Sequence, residues 1–186
     1  MTTQIRYAAG SRIVHWLVAM LVLVTIPVGI WMAGRAEIDL FDDLTNALYA
    51  WHKAIGMTVL LLMGLRIVLK IRHSAPPYPA SLRRWQVVAA KSLHHLLYVL
   101  LILTPLLGWA GVTAFPALIT LGGYNLPAMP LIPQDQALAT RLFTIHGTLA
   151  LLLATLIIGH IGAALGHLFL AKDGIMQRMW FGRQDS

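Results

Sequence analysis

Four long apolar stretches, separated by short polar or proline-rich segments, dominate the chain. Ile13–Ala33 holds 21 residues without a charge, enough to cross a hydrocarbon core of about 30 Å as a helix. A second stretch has a shorter uncharged centre, Ala54–Leu65, but Lys53 and Arg66 can snorkel outward from its ends. Between Lys91 and Asp135 no residue is charged, which is too long for one span. Pro116, Gly122, Gly123, Pro127, Pro130 and Pro133 break its second half, so a helix is expected only in the first half, followed by an apolar, irregular loop over 113–134 near the membrane interface. The pattern predicts spans at about 12–33, 48–70, 87–112 and 142–170. With no repeat among them, this is one all-α domain over residues 1–186, an integral membrane four-helix bundle.

Composition agrees with this pattern. Hydrophobic residues make up 58% and charged residues 11% of the chain, against about 25% charged in a soluble domain. Cysteine is absent, which excludes disulfides, iron–sulfur clusters, thiolate haem ligands and covalent c-type haem attachment. The net charge is +7, but its placement carries more information than its sum. Eleven of the fourteen basic residues fall at the N-terminus (Arg6, Arg12), in the second connection (Arg66, Lys70, Arg72, Arg83, Arg84, Lys91) and at the C-terminus (Lys172, Arg178, Arg183). Arg35, Lys53 and Arg141 lie on the other side with five acids, Glu37, Asp39, Asp42, Asp43 and Asp135. The positive-inside rule then places both termini in the cytoplasm. A cleaved signal peptide is not expected, because the first apolar core far exceeds the usual roughly 7–15 residues. The His73–Ser81 segment, with Pro76, Pro77 and Pro79, reads as a stiff connection. A nucleic-acid partner is not expected.

The candidate chemistry lies in histidines. Ionisable side chains inside spans mark function, and here His15, His52, His146 and His160 occupy three of the four stretches, with His94 and His95 on the remaining one. His146 and His160 are fourteen residues apart, about 40° short of four full turns, so they share one face at two depths about 21 Å apart. Following the chain direction, His15 falls at the depth of His160, and His52 at that of His146. Two bis-histidine pairs, each the axial ligand set of one haem, explain this layout. Gly56 lies one turn after His52 and Gly29 fourteen residues after His15, while Gly147, Gly159 and Gly162 flank the later histidines. Such positions allow a flat macrocycle to approach the backbone. Arg66, fourteen residues after His52, suits a haem propionate. A transporter of zinc or protons would be expected to bring Asp or Glu into the spans, and none is there. His73 falls in a polar loop, and His94, His95 and His167 are equally readable as interfacial anchors.

Ile13-Val14-His15-Trp16-Leu17-Val18, His52 with Gly56 and Arg66, His94-x-x-x-Tyr98 with Pro105 and Gly108, and His146, His160 and His167 before the Lys172-Asp173…Arg178-Met179 tail together resemble the bacterial cytochrome b561 family across nearly the whole chain. The resemblance implies two b-type haems, an inner-membrane location and electron exchange with quinone, with ubiquinone as the candidate acceptor and superoxide as a candidate donor outside. The alternative is a cytochrome b subunit serving a dehydrogenase or a soluble cytochrome, with a protein donor. With imidazole on both faces of the iron, the chemistry is outer-sphere electron transfer. His94 or His95 at the start of the third span is the expected quinone partner, beside Lys91. Lys53, directly after His52, and Arg141, five residues before His146, are expected to steer an anionic substrate, or equally to reach lipid phosphates or the haem propionates.

Overall fold

A computed structural model describes residues 6–79 and 82–181; the end of the predicted 73–81 connection and Arg183 lie outside these residues. The helices are α1 (Ala9–Glu37), α2 (Asp43–Arg72), α3 (Arg84–Ala114) and α4 (Gln136–Gly166), with no β-strand among the described residues. All four are long and apolar enough to cross a membrane. Their outward side chains suit lipid: Met20, Leu61 and Ile158 are 60%, 70% and 72% exposed. Each helix extends beyond its charge-free stretch, because backbone hydrogen bonding continues through charged outer turns whose side chains reach the interface.

Polar side chains cap the helices where the apolar pattern stops. Asp42 accepts from the Thr45 N–H at 2.9 Å at the start of α2, and Asp135 accepts from the Leu138 N–H at 2.7 Å at the start of α4. The α1–α2 turn is closed further by Arg35, which donates to Thr45 Oγ1 at 2.7 Å and to Asp42 at 2.6 Å. Thr45 is completely buried in this knot. Helices adjacent in sequence pack side by side, α1 on α2, α2 on α3 and α3 on α4, and α1 meets α4 through side chains such as Ile26 and Ile157. Val14, Val18, Val22, Val59 and Met63 form the main core between α1 and α2, and Leu97, Leu100 and Leu153 a second between α3 and α4. A small, wholly apolar cleft separates Val22–Pro27 of α1 from Ala154–Ile161 of α4.

The connection is irregular, as expected, apart from the 3-10 turn Leu121–Gly123, and its backbone is hydrogen-bonded within itself and to α3. Thr120 N–H and its hydroxyl both donate to the Tyr124 carbonyl, at 2.7 and 2.9 Å, and Leu126 N–H donates to the Leu118 carbonyl at 3.0 Å. Gly122 and Gly123 take φ of 65° and 76° in the turn between, a region open to glycine without a Cβ penalty. Trp109 Nε1 donates to Pro127 O at 2.8 Å, and Thr113 Oγ1 accepts from the Met129 N–H at 3.0 Å. Next to a membrane, an apolar loop must satisfy its own backbone, and local hydropathy does not reveal those pairings. At the opposite end, α4 widens into a π-helical turn, His167–Ala171, which Lys172 (φ 50°) and Gly174 (φ 76°) terminate. The chain then folds back on α1: Trp16 Nε1 donates to Met179 O and Arg12 to Trp180 O, both at 2.8 Å.

The Arg35–Asp42 pair makes the α1–α2 turn acid-sensitive. Arg35, helped by the Thr45 N–H, lowers the Asp42 carboxyl pKa to about 2, against about 4 in an unfolded chain. A depressed carboxylate contributes stability above the unfolded value and loses it as pH falls through the folded one. The thermal-stability gap between the parent and Asp42→Asn is therefore expected to be full above about pH 4 and to close towards pH 2. A gap unchanged across that range would show that the pair does not hold the turn.

Candidate functional site

α4 carries two histidines that face two different helices. The His15 and His160 rings lie 6.3 Å apart between centroids, with their planes 82° apart. His52 and His146 lie 5.9 Å apart at 84°. A metal–imidazole bond of roughly 2 Å on each side puts two ring centres about 6 Å apart around one metal atom. The two pairs occupy opposite ends of the apolar layer, because His15 lies in the second turn of α1 and His52 in the third turn of α2, at the other end of the bundle.

One local device, used twice, orients the rings of the His52–His146 pair. His52 Nδ1 lies 3.1 Å from the Thr25 carbonyl and 3.3 Å from its hydroxyl. His146 Nδ1 lies 2.8 Å from the Thr104 carbonyl. A ring nitrogen facing a carbonyl carries the proton, which leaves Nε2 with a lone pair for a metal. In both cases a glycine four residues after the threonine makes room. A Cβ on Gly29 would meet His52 Cε1 at 2.8 Å, and one on Gly108 would meet His146 Cε1 at 3.1 Å. The segments Thr25-Ile-Pro27-Val-Gly29 and Thr104-Pro105-Leu-Leu-Gly108 on two separate helices share this arrangement. The histidine pattern did not point to Thr25 and Thr104, whose main-chain carbonyls face the rings, and the repeated Thr…Pro…Gly was the signal for them. By contrast, a Cβ on Gly56, Gly147, Gly159 or Gly162 would meet nothing within 4 Å, so these glycines do not serve close helix packing.

The His15–His160 end is built differently. His15 Nδ1 is buried without a hydrogen-bond partner. His94 joins this pair, its ring 5.4 Å from His160; both His94 and His95 are exposed on α3. Arg66 Nε donates to the Tyr98 hydroxyl at 2.9 Å, and Lys70 stacks over the same ring at 4.6 Å, so a cationic patch on an aromatic post stands near His94. His167 Nδ1 pairs with Asp173 at 2.6 Å. Beside His15, Trp16, Leu165, Leu168, Met176, Gln177 and Trp180 line a cavity of about 650 Å³, and the buried Gln177 Oε1 has no partner there. Sequence reading gave no hint of this cavity, because residues 176–180 reach it only through the fold-back.

At the other end, Lys53 is not poised towards solvent. Its Nζ donates to the Ala117 carbonyl at 2.9 Å and also to the Ile119 carbonyl. Arg141 is exposed on α4, five residues before His146.

Facing histidine pairs at two depths of an apolar four-helix bundle, with Nδ1 protons held on carbonyls at one of them, fit axial ligation of haem and define a membrane cytochrome of the b type. Residues 6–182 match the family model described as prokaryotic cytochrome b561, and the chain belongs to that family. It is therefore a multi-pass bacterial membrane protein of electron transfer that binds b-type haem. Cytochrome b561 homolog 1 of Escherichia coli K12 is 28% identical to it over 174 residues, covering 94% of this chain and 96% of the relative. Homolog 2 of the same organism is 32% identical over 178 residues, covering 94% and 90%. A Yersinia pestis protein named probable superoxide oxidase CybB is 29% identical over 178 residues, covering 94% and 95%.

Gly29→Ala is expected to displace the His52 ring and to perturb the haem absorption spectrum and haem retention. Gly34→Ala, on the same helix, should leave both unchanged, because a Cβ there would meet nothing within 4 Å. Equal spectra for the two variants would mean that the ring is not held where its glycine neighbour places it.

Proposed function

We propose that the chain is a di-haem cytochrome b that oxidises superoxide at its acidic end and reduces ubiquinone at its basic end, with both termini in the cytoplasm. The observation that carries this reading is the pair of facing histidine couples at two depths of one bundle. Bound there, b-type haem supplies one-electron exchange. His15 and His160 would hold one group and His52 and His146 the other. The side chains around each pair would position and orient the reactants. Overall, two superoxide anions each give up an electron and leave as dioxygen, and one ubiquinone takes up two electrons and two protons. The name of the Yersinia relative supports the donor, and the concentration of basic residues at the terminal end supports the orientation.

At the basic end, His94 is the quinone partner this reading favours over His95, since its ring lies against His160. An imidazole nitrogen of His94 can pass a proton from the interface to a quinone oxygen. The cavity beside Trp16 is a second place for a quinone ring, where the unpartnered Gln177 Oε1 would accept a hydrogen bond from a reduced quinone hydroxyl. Arg66 and Lys70, grouped on Tyr98, supply cations for the propionates of the inner haem. At the acidic end Arg35 is engaged with Asp42 and Lys53 with the loop, which makes the exposed Arg141 the favoured residue for attracting an anion, with the Lys53 charge behind it.

His15→Ala or His160→Ala is expected to lower the haem b content from two to one per chain and to remove the same spectral component in each. His52→Ala and His146→Ala should remove the other component. Two members of a proposed pair that abolish different components would overturn the pairing. The function itself is tested by giving the purified protein superoxide and ubiquinone alone. Turnover is expected, with Arg141→Gln slowing haem reduction and His94→Ala slowing quinone-dependent reoxidation. If haem is present but no turnover occurs until a dehydrogenase or soluble cytochrome is added, the protein is an electron-transfer subunit instead.

A further inference from the structure

The bonds of Lys53 have a consequence that depth along α2 makes visible. Lys53 lies ten residues after Asp43, where α2 begins, so it sits about 15 Å down the helix, at the depth of His52. The carbonyls of Ala117 and Ile119 that it binds therefore lie within a lysine side chain's reach of the depth of the histidine pair. α3 ends at Ala114, six residues past Gly108, against which His146 rests. The chain beyond it does not leave the bundle. It folds along the projecting first turns of α2, where the 3-10 turn Leu121–Gly123 packs on that helix with Thr120 and Leu126 buried. Within this segment the turn is closed by the Thr120–Tyr124 and Leu126–Leu118 hydrogen bonds, but its only bonds to α2 among the described residues are those of Lys53. A lysine ammonium in partly apolar surroundings makes strong charge-assisted bonds to carbonyls, and two on one side chain fix a backbone segment from a single point.

We propose that Lys53 is a positioning residue: it locks residues 117–126 against α2 as a wall beside the His52–His146 pair, keeping water from the haem held there. This rests on reading the two histidines as a ligand pair. The wall lowers the local polarity around that haem and so favours its reduced, less charged form, which raises its potential.

The test uses the full protein in detergent or nanodiscs, with two readouts. The first is limited proteolysis by chymotrypsin at Tyr124, which needs no haem signal. The second is a redox titration of the spectral component that His52→Ala removes. Lys53→Met should be cut about ten-fold faster than the parent, since the loop then opens locally, and should titrate at a lower potential. Lys53→Arg should restore most of both. Thr120→Pro, which removes the N–H that closes the turn while leaving the Lys53 charge in place, should likewise be cut faster and titrate lower. It also replaces Lys53→Met as the test if that variant does not fold. A lowered potential in Lys53→Met with none in Thr120→Pro would reduce Lys53 to a nearby charge and overturn the wall. Parental cleavage in both variants would overturn the anchor. Faster cleavage in both with no shift in either potential would leave an anchored loop and overturn its effect on the haem. If His52→Ala removes no spectral component, the failure lies in the ligand assignment, and proteolysis alone decides the anchoring.

Discussion

An imidazole inside an apolar bundle needs a partner for each ring nitrogen, because the lipid offers none. Much of the arrangement here follows from meeting that need. His52 and His146 place Nδ1 on main-chain carbonyls of neighbouring helices, and the glycines at 29 and 108 exist at the points where a Cβ would block the rings. The other nitrogen of each ring is then committed to the space between helices, where α4 faces its partners. Aliphatic packing fills the middle of the bundle, with Ile26 of α1 on the cluster that holds Leu153 and Ile157 of α4 on the cluster that holds Val22, and the ring pairs take the two ends.

The two ends satisfy the same physical demand by different means. At the acidic end the backbone is closed by fixed charges, with Arg35, Asp42 and Thr45 tying one turn and Lys53 holding the long connection. At the basic end the C-terminal fold-back does the closing, with Trp16 and Arg12 donating to its carbonyls and Arg178 donating to Pro77 O at 2.6 Å. The first end is compact around a ring pair whose nitrogens are held. The second keeps a cavity, an unpartnered His15 nitrogen and an unpartnered Gln177 oxygen. On the proposed function, the closed end suits a reactant that only approaches an edge, and the end with room and unpartnered polar atoms suits one that binds and exchanges protons.

Family membership rests on the whole length of the chain, and what it shares with its relatives is membrane cytochrome b chemistry. Which small molecules meet each end is a question for the side chains around the ring pairs. Fold alone does not answer it, since the same four-helix plan can serve a self-contained oxidoreductase or a subunit of a larger one.

The sequence by itself determined the four spans, because a long apolar run, whether charge-free or bounded by side chains that can snorkel, has few alternatives in a bilayer. It also carried the histidine spacing on α4, since helical period converts residue number into face and depth without reference to any neighbour. Tertiary structure alone decided which groups share each ring's surroundings. Thr25 and His52 are 27 residues apart in the chain and Thr104 and His146 are 42 apart, separations no local pattern connects. Lys53 read as a steering charge because its sequence neighbour is His52, yet its side chain meets carbonyls more than sixty residues later. The loop over 113–134 read as irregular because prolines and glycines mark breaks in helix, and they say nothing of what the broken chain will bind. Hydropathy specifies where a helix must cross; hydrogen bonds between distant segments depend on how the crossings pack.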